Sequence, residues 1–254
     1  MKNKAILFNG KRSFGALVLV GLLTGCASTG DPRDPLEPFN RKMQTFNDTM
    51  DEYVMKPVAR GYQWVTPEFV DQGVSNFFSN LKDISVTVND LLQFKVKQGG
   101  QDAARFLVNT TVGVGGLVDV ASRLGLEKHE EDFGQTLAVW GLPPGPYLVL
   151  PFLGPSSPRD AAGSVADGFL NPISYTSPPA WFALYGVRTI DFRADNLAAT
   201  EVLDEAALDR YAFIRNAYFQ RREYLINDGE IPLDEDFEEF EKELEELDDL
   251  EQES

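Results

Sequence analysis

The stretch EDFGQTLAVWGLPPGPYLVLPFLGPSSPRD, residues 131–160, decides the fold, because it is apolar but interrupted by proline. Between Asp132 and Arg159 lie 26 consecutive residues without a charge, more than the ~20 that a membrane-spanning helix needs. Prolines at 143, 144, 146, 151, 155 and 158 rule out a continuous helix, because each lacks a backbone donor and clashes with the preceding turn. Irregular backbone survives at membrane depth only where protein buries it or it lines a cavity. We therefore predict an apolar hairpin or re-entrant loop from Leu142 to Phe152, set between helices.

Most of the remaining body has the periodicity of helices. Asp34-Pro35 offers an N-cap and an N1 proline, and apolar residues then recur at helical spacing from Phe39 to Val54. Thr66-Pro67-Glu68 opens a second helix that reaches about Leu81. No sustained alternation of period two and no internal repeat occurs, so the predicted fold class is all-α. Further helical patterns cover about 83–94, 101–111 and 117–124, the last after a break at Gly113, Gly115 and Gly116.

A second uncharged stretch of 20 residues lies between Asp167 and Arg188. It contains Trp181, Phe182, Leu184 and Tyr185 after Pro178-Pro179, a pattern that favours a helix partly sunk in lipid. The alternative for both uncharged stretches is the buried core of a soluble domain.

The N-terminal region has the features of a secretory signal. Four basic residues and no acid precede an apolar run from Phe14 to Leu23, which is too short to span a bilayer. The run ends in Leu22-Leu23-Thr24-Gly25-Cys26, and Cys26 is the only cysteine in the chain. This pattern resembles the bacterial lipobox, which implies cleavage after Gly25 and attachment of diacylglyceryl and N-acyl (palmitate) chains to Cys26. The alternative is a free, unpaired thiol.

Charge is concentrated at the C-terminus. Of the formal net charge of −17, the segment 228–254 contributes fifteen acids and one lysine, so the body is only modestly acidic and lacks the basic face that nucleic acid requires. Within that segment Phe237, Phe240, Leu244 and Leu247 recur at 3-4-3 spacing. This pattern predicts an acidic amphipathic helix that binds a partner, or else a solubilising tail.

We divide the chain accordingly into a signal peptide (1–25), a short tether (26–34), a helical domain (35–230) and the acidic tail (231–254). The tether can reach at most ~28 Å, so we expect the domain to lie against the membrane that holds the acyl chains.

Signals for an enzyme are weak. The lone His129 lies in the acidic run Glu127–Asp132, which is more typical of a loop with solvated charges than of a metal site. No Gly-x-Ser-x-Gly elbow occurs. A carboxylate pair for glycoside cleavage stays open as an alternative, but nothing in the sequence locates it. We expect no enzymatic activity, no metal and no cofactor.

Five blocks of sequence resemble the MlaA (VacJ) family of lipoproteins, in the same order. The resemblance implies a ring-shaped helical domain that is lipid-anchored on the periplasmic side of the outer membrane and embedded in its inner leaflet. It further implies an amphipathic channel for phospholipid, contact with trimeric porins, and delivery of mislocalised phospholipid to the soluble periplasmic carrier MlaC. The blocks are DPLEPFNR (34–41), NTTVGVGGLVDVA (109–121), the opening stretch (131–160), ADGFLNPIS (166–174) and AYFQRREYLINDGE (217–230).

The hairpin at 141–152 is the candidate for a movable channel wall. Gly141 and Gly145 permit backbone rotation, and Pro146 with its neighbours stiffens the arm. Trp140 and Tyr147 suit the headgroup level, because each has a polar end and an apolar body. Ordinary core packing is the alternative for both aromatics. The function predicted is maintenance of outer-membrane lipid asymmetry by phospholipid transport. The alternatives are a structural, porin-associated lipoprotein without a channel and, less favoured, a peptidoglycan-active enzyme.

Overall fold

The computed structural model describes residues 31–230, and the regular structure there is helical apart from one small hairpin. The predicted signal peptide, the residues around Cys26 and the acidic tail lie outside the described residues. The α-helices are α1 (Glu37–Met50), α2 (Lys56–Val65), α3 (Glu68–Leu92), α4 (Val96–Thr111), α5 (Val120–Arg123), α6 (Phe133–Val139), α7 (Pro158–Leu170), α8 (Pro178–Asp195), α9 (Leu197–Ala206) and α10 (Arg210–Ile226).

The helical predictions are confirmed in outline, with two differences. Helix α3 is a continuous 25-residue helix that opens at Pro67, where periodicity predicted two segments. A π-helical turn, Asp51–Met55, joins α1 to α2, and a 3-10 turn, Pro172–Tyr175, precedes α8. Among residues 31–230 no helix is both long enough and apolar enough to cross a membrane.

The predicted N-cap at Asp34 is wrong. Leu36 occupies the N-cap position of α1, and Asp34 is fully buried. Its carboxylate accepts hydrogen bonds from the Asn40 amide (2.9 Å) and from Tyr211 of α10, which leaves no free oxygen directed at the helix start. Asp34, predicted as the last residue of the tether, therefore belongs to the packed body.

The hairpin is real, but it lies further along the chain than predicted. Strand β1 (Leu148–Leu150) pairs antiparallel with β2 (Gly154–Ser156), so that Leu148 lies opposite Ser156. The turn between them, residues 151–153, is the tip of the hairpin. The prediction of 141–152 ended before the second strand, because two three-residue strands are too short to show a period-two pattern.

The packing of the elements forms a closed circuit. Helix α1 contacts β1, β2 contacts α10, α10 contacts α6, and α6 contacts α3. Helix α3 then packs on α8, α8 on α2, and α2 returns through the π-helical turn to α1. The circuit has the ring-like arrangement expected of the domain, with the hairpin as one of its members.

The distribution of polar and apolar side chains is inverted relative to an ordinary soluble domain. In the described residues, the large side chains that are fully buried are mostly polar or charged. Many large apolar side chains are exposed instead, including Phe94 between α3 and α4, Val96 at the start of α4 and Phe182 on α8. This outcome argues against the alternative in which the two uncharged stretches are simply a soluble core, because exposed apolar surface of this extent marks an interaction with lipid or protein.

Helix α10 ties distant segments together through two arginines. Arg215 lies 3.1 Å from Asp34. Arg222 binds Asp132 through two nitrogens (2.5 and 3.1 Å) and lies 3.0 Å from Asp160. Two of the sequence blocks, 34–41 and 131–160, are thus held by α10. The helix ends at Ile226, directly before Asn227-Asp228-Gly229.

Candidate functional site

The interior of the ring contains a cavity of about 630 Å³. Helix α1, the π-helical turn, the hairpin tip and helices α8–α10 line it. Its wall is amphipathic. The apolar lining residues are Met50, Met55, Phe152, Leu153, Phe192 and Ile214, and the charged ones are Asp48, Asp51, Arg193 and Arg210.

A second cavity of about 500 Å³ lies next to the first. Helices α3, α7 and α8 supply most of its lining. Leu153, Thr189 and Phe192 line both cavities, so the hairpin tip and one turn of α8 form the boundary between them. The tip is exposed to these spaces, with Phe152 71% and Leu153 76% accessible. The two cavities together are lined by both charged and apolar side chains.

Ion pairs across the first cavity connect its walls. The Arg193 guanidinium on α8 binds Asp51 in the π-helical turn through two nitrogens, at 2.6 and 2.8 Å. A bidentate pair of this kind is stronger than a single charged hydrogen bond and fixes orientation. Arg210 at the start of α10 binds Asp48 of α1. The polar part of the wall is therefore held in place by α1 and its π-helical extension.

The base of the hairpin is anchored by two asparagines on one face of α1. The side chain of Asn40 donates to the Tyr147 carbonyl and accepts from the Val149 N–H, both at 2.9 Å. Asn47, two turns later, donates to the Leu150 carbonyl (2.9 Å) and accepts from the Phe152 N–H (2.8 Å). Each amide thus acts as a neighbouring strand would, and β1 is held along its length.

The five predicted hairpin residues lie before the first strand, at the end of α6 and in the loop that leads to β1. None of the five lines either cavity in the described structure. Gly141 ends α6 with φ +87°, and the N–H of Leu142 returns to the Leu137 carbonyl, so this glycine terminates a helix. Gly145 has φ +76°, and a Cβ there would approach Pro158 to 3.2 Å. Pro146 is half-buried beside it.

The two aromatic candidates differ in their surroundings. Trp140 is half-exposed, donates its indole N–H to the Leu92 carbonyl (3.2 Å) and contacts Phe133 edge-on. Tyr147 is 0% exposed, so the expectation that it lies at the headgroup level is corrected. Its ring packs among Tyr211, Tyr218 and Phe219, because β1 alternates and turns Tyr147 and Val149 inward.

The remaining sequence candidates are located as follows. His129 binds Asp102 through Nδ1 at 2.7 Å, and among the described residues no group of acids, histidines or cysteines has the arrangement of a metal site. Cys26 and the stripe Phe237, Phe240, Leu244 and Leu247 lie outside the described residues.

The profile of the MlaA lipoprotein family matches residues 32–225. The chain belongs to the MlaA family. It is 39% identical over 218 residues to the intermembrane phospholipid transport system lipoprotein MlaA of Escherichia coli K12, an alignment that covers 83% of this chain and 86% of that protein. The MlaA lipoprotein of Haemophilus influenzae is 34% identical over 243 residues, covering 91% and 94%.

A solved structure described as the structural basis for maintenance of bacterial outer membrane lipid asymmetry superposes with a TM-score of 0.69. It is 36% identical in sequence and covers 76% of this chain and 98% of its own. The MlaA resemblance and the all-α fold predicted from the sequence are thereby confirmed.

Conversely, the site contains residues that sequence reasoning missed. Asn40 stands in the DPLEPFNR block, where its position gave no sign of a hairpin contact 107 residues away. Phe192, Arg193 and Arg210 were not identified as cavity residues, because their role depends on how α8 and α10 close the ring. The sequence feature that came nearest to predicting these residues is the uncharged stretch 133–158. It contains the hairpin tip at 151–153, but nothing in it distinguishes the tip from its neighbours.

Proposed function

We propose that this chain is an outer-membrane lipoprotein that removes mislocalised phospholipid from the outer leaflet through its ring and so maintains lipid asymmetry. The observation that carries the proposal is the amphipathic interior of the ring. A phospholipid head cannot cross hydrocarbon cheaply and its tails cannot cross water. An interior with ion-paired walls and an apolar tip offers each part of the lipid a compatible surface.

The outward-facing apolar side chains support a position in the membrane. With exposed residues such as Phe94 and Phe182, the domain can sit in the inner leaflet of the outer membrane without a spanning helix. Attachment by acyl chains on Cys26 would hold it there from the periplasmic side, since two or more chains anchor a protein stably where one does so only marginally.

Transport in this scheme requires no chemistry by the chain itself. Phospholipid is the ligand, and no catalytic group, metal or cofactor takes part. We propose two protein partners on the strength of family membership: a trimeric porin beside the ring, and the soluble carrier MlaC on the periplasmic side. The acidic stripe at 237–247 is the candidate for contact with MlaC.

Deletion of the gene and complementation with the full chain test the proposal. Phospholipid accessible in the outer leaflet is measured by its hydrolysis with an added phospholipase on intact cells. We expect it to rise on deletion and to fall again on complementation. A purely structural, porin-associated lipoprotein would leave outer-leaflet phospholipid normal and change only the porin complex. A peptidoglycan-active enzyme would change the glycan fragments, and either of those results would overturn the transport proposal.

A further inference from the structure

Two cations line the second cavity of the ring without a direct ion pair among the described side chains. Lys82 projects from α3 and Arg188 from α8, helices that pack against each other. Both residues are half-buried. Among the side chains that the structure describes (31–202 and 207–230), neither forms an ion pair or a side-chain hydrogen bond. A half-buried charge without a partner costs free energy. An anion that binds in this cavity would offset that free energy by pairing with the cations.

The acids in the same cavity are engaged by other groups. Asp132 is bound by Arg222 of α10, and Glu131 by Lys95 at 2.7 Å. Asp167 accepts hydrogen bonds from the Asn89 amide (2.8 Å) and the Phe133 N–H (2.9 Å). Burial raises the pKa of Asp167, whereas the charge of Lys82 acts in the opposite direction. Lys82 thus acts on the Asp167 carboxylate without a direct contact, and Arg188 forms no ion pair among the side chains that the structure describes.

The rest of the lining is suited to lipid. Phe78, Leu81 and Ile173 give the cavity an apolar side, and Leu153 of the hairpin tip and Phe192 connect it to the larger cavity. A guanidinium binds phosphate oxygens through a fork of N–H groups, and an ammonium adds a compact point charge. The combination matches a phosphate that carries an apolar substituent.

We propose that Lys82 and Arg188 form a binding station for the phosphate of a phospholipid headgroup inside the ring. The inference rests on the transport function proposed above and adds a location to it. The phosphate is held in the second cavity while the glycerol and acyl portion extends past Leu153 and Phe192. The station binds the phosphodiester, the feature that common phospholipids share.

Binding of short-chain ligands to the full chain, purified in a non-ionic detergent, tests the station by titration calorimetry. The ligands are dihexanoylphosphatidylglycerol, dihexanoylglycerol, which lacks the phosphate, and inorganic phosphate. The Lys82→Ala/Arg188→Ala variant should bind dihexanoylphosphatidylglycerol about tenfold more weakly, a change typical of losing charge-assisted hydrogen bonds. Its affinity for dihexanoylglycerol should change less than about twofold.

A charge-matched control is the Lys97→Ala/Arg123→Ala variant, which removes two exposed cations away from the cavity. It should bind all three ligands as the unmodified chain does. Thermal unfolding of each variant checks the fold. The single variants Lys82→Ala and Arg188→Ala, each expected to give part of the loss, carry the test if the double variant is unstable.

The outcomes separate the station from the transport function. If the unmodified chain binds neither lipid, the transport proposal fails and the station fails with it. If it binds both lipids and the Lys82/Arg188 variant binds dihexanoylphosphatidylglycerol equally well, transport stands and the station is overturned. If inorganic phosphate binds as tightly as the phospholipid, the site serves free phosphate, and the lipid assignment is overturned.

Discussion

The side-chain oxygen of Asn47 accepts the backbone N–H of Phe152 at 2.8 Å, and this contact joins helix α1 to the tip of the hairpin. The Phe152 ring also packs edge-on against Phe46, with centroids 5.3 Å apart. The tip is thereby placed at the boundary of the two cavities while its side chains stay exposed. A short turn at the boundary of the cavities is therefore held in position by an α1 side chain.

Replacing this contact should loosen the tip without unfolding the ring. In Asn47→Ala, two hydrogen bonds to Leu150 and Phe152 are lost. Amide hydrogen exchange at Phe152 should accelerate about tenfold or more, since each bond contributes about 1 kcal/mol. Thr49→Ala, an exposed position on the same helix, is the control and should leave this exchange rate unchanged. Equal exchange in both variants would mean that the tip is held by other contacts.

Arg222 should be a major determinant of stability. It is largely buried and holds both Asp132 and Asp160. Arg222→Met therefore leaves the Asp132 carboxylate without its cation and leaves Asp160 with Arg159 alone. We expect the free energy of unfolding to fall by about 3–5 kcal/mol, measured by denaturant titration. The neighbouring Arg221 is mostly exposed in its pair with Glu130, and Arg221→Ala should cost less than about 1 kcal/mol. Similar losses for both variants would contradict this assignment.

Asp90 should make the domain less stable as the pH rises. It is fully buried in α3. Burial, together with Asp102 and Glu131, raises the pKa of Asp90 to about 8, against the effect of Lys95. Because this pKa is higher in the folded than in the unfolded chain, the folded state holds the proton more tightly. The resulting stabilisation is complete below about pH 4 and is lost as the pH rises through about 8.

Asp90→Asn keeps the neutral form at every pH, and it should be more stable than the unmodified chain at pH 8 by roughly 1–3 kcal/mol. Thermal unfolding between pH 5 and 8 measures the difference. Glu68→Gln, which replaces an exposed carboxylate on the same helix, should leave the pH dependence as it is. A parallel pH profile for Asp90→Asn and the unmodified chain would show that Asp90 ionises without penalty.

The acidic tail is expected to bind the periplasmic carrier. Replacing Phe237, Phe240, Leu244 and Leu247 by Ser keeps the charge of the tail and removes its apolar stripe. Affinity for MlaC should fall, and deletion of 231–254 should also weaken its salt dependence, because charge attraction is screened over ~10 Å at 0.1 M salt. Binding curves at low and high salt that match the unmodified chain for both variants would reduce the tail to a solvated appendage.

Local signals in the sequence predicted helices where α1, α3, α4, α5 and α8 lie, which is half of the α-helices in the described residues. The Pro67 start of α3, the glycine-rich turn after Asn109 and the stop after Ile226 follow from capping and backbone preferences that act within a few residues. The turn after Asn109 also shows why its block is specific: the Asn109 side chain binds the N–H groups of Val120 and Ala121 at 2.8 and 2.9 Å. These features need no knowledge of distant partners.

Features that depend on ring closure could not be predicted from local sequence signals. The burial of Tyr147 follows from α10 covering the hairpin, and Asp34 is diverted from capping by Tyr211, 177 residues away. The cavity residues Arg188 and Phe192 resemble ordinary helical positions until α8 is placed against α3 and the tip. Both sides of the ring are partly apolar. The pattern of polar and apolar side chains along one helix therefore does not distinguish the face toward the interior from the face toward lipid.

The most direct test of lipid passage through the ring is to obstruct its interior chemically. Leu153→Cys places a thiol on the tip, 76% exposed, and Phe169→Cys places one on α7 outside both cavities at a comparable 69%. Each protein, as the sole copy in the cell, is labelled with a bulky maleimide, and outer-leaflet phospholipid is measured by phospholipase hydrolysis. The account predicts that phospholipid accumulates after labelling at position 153 and stays normal after labelling at position 169. Equal, normal levels after complete labelling at both positions would contradict passage through the ring.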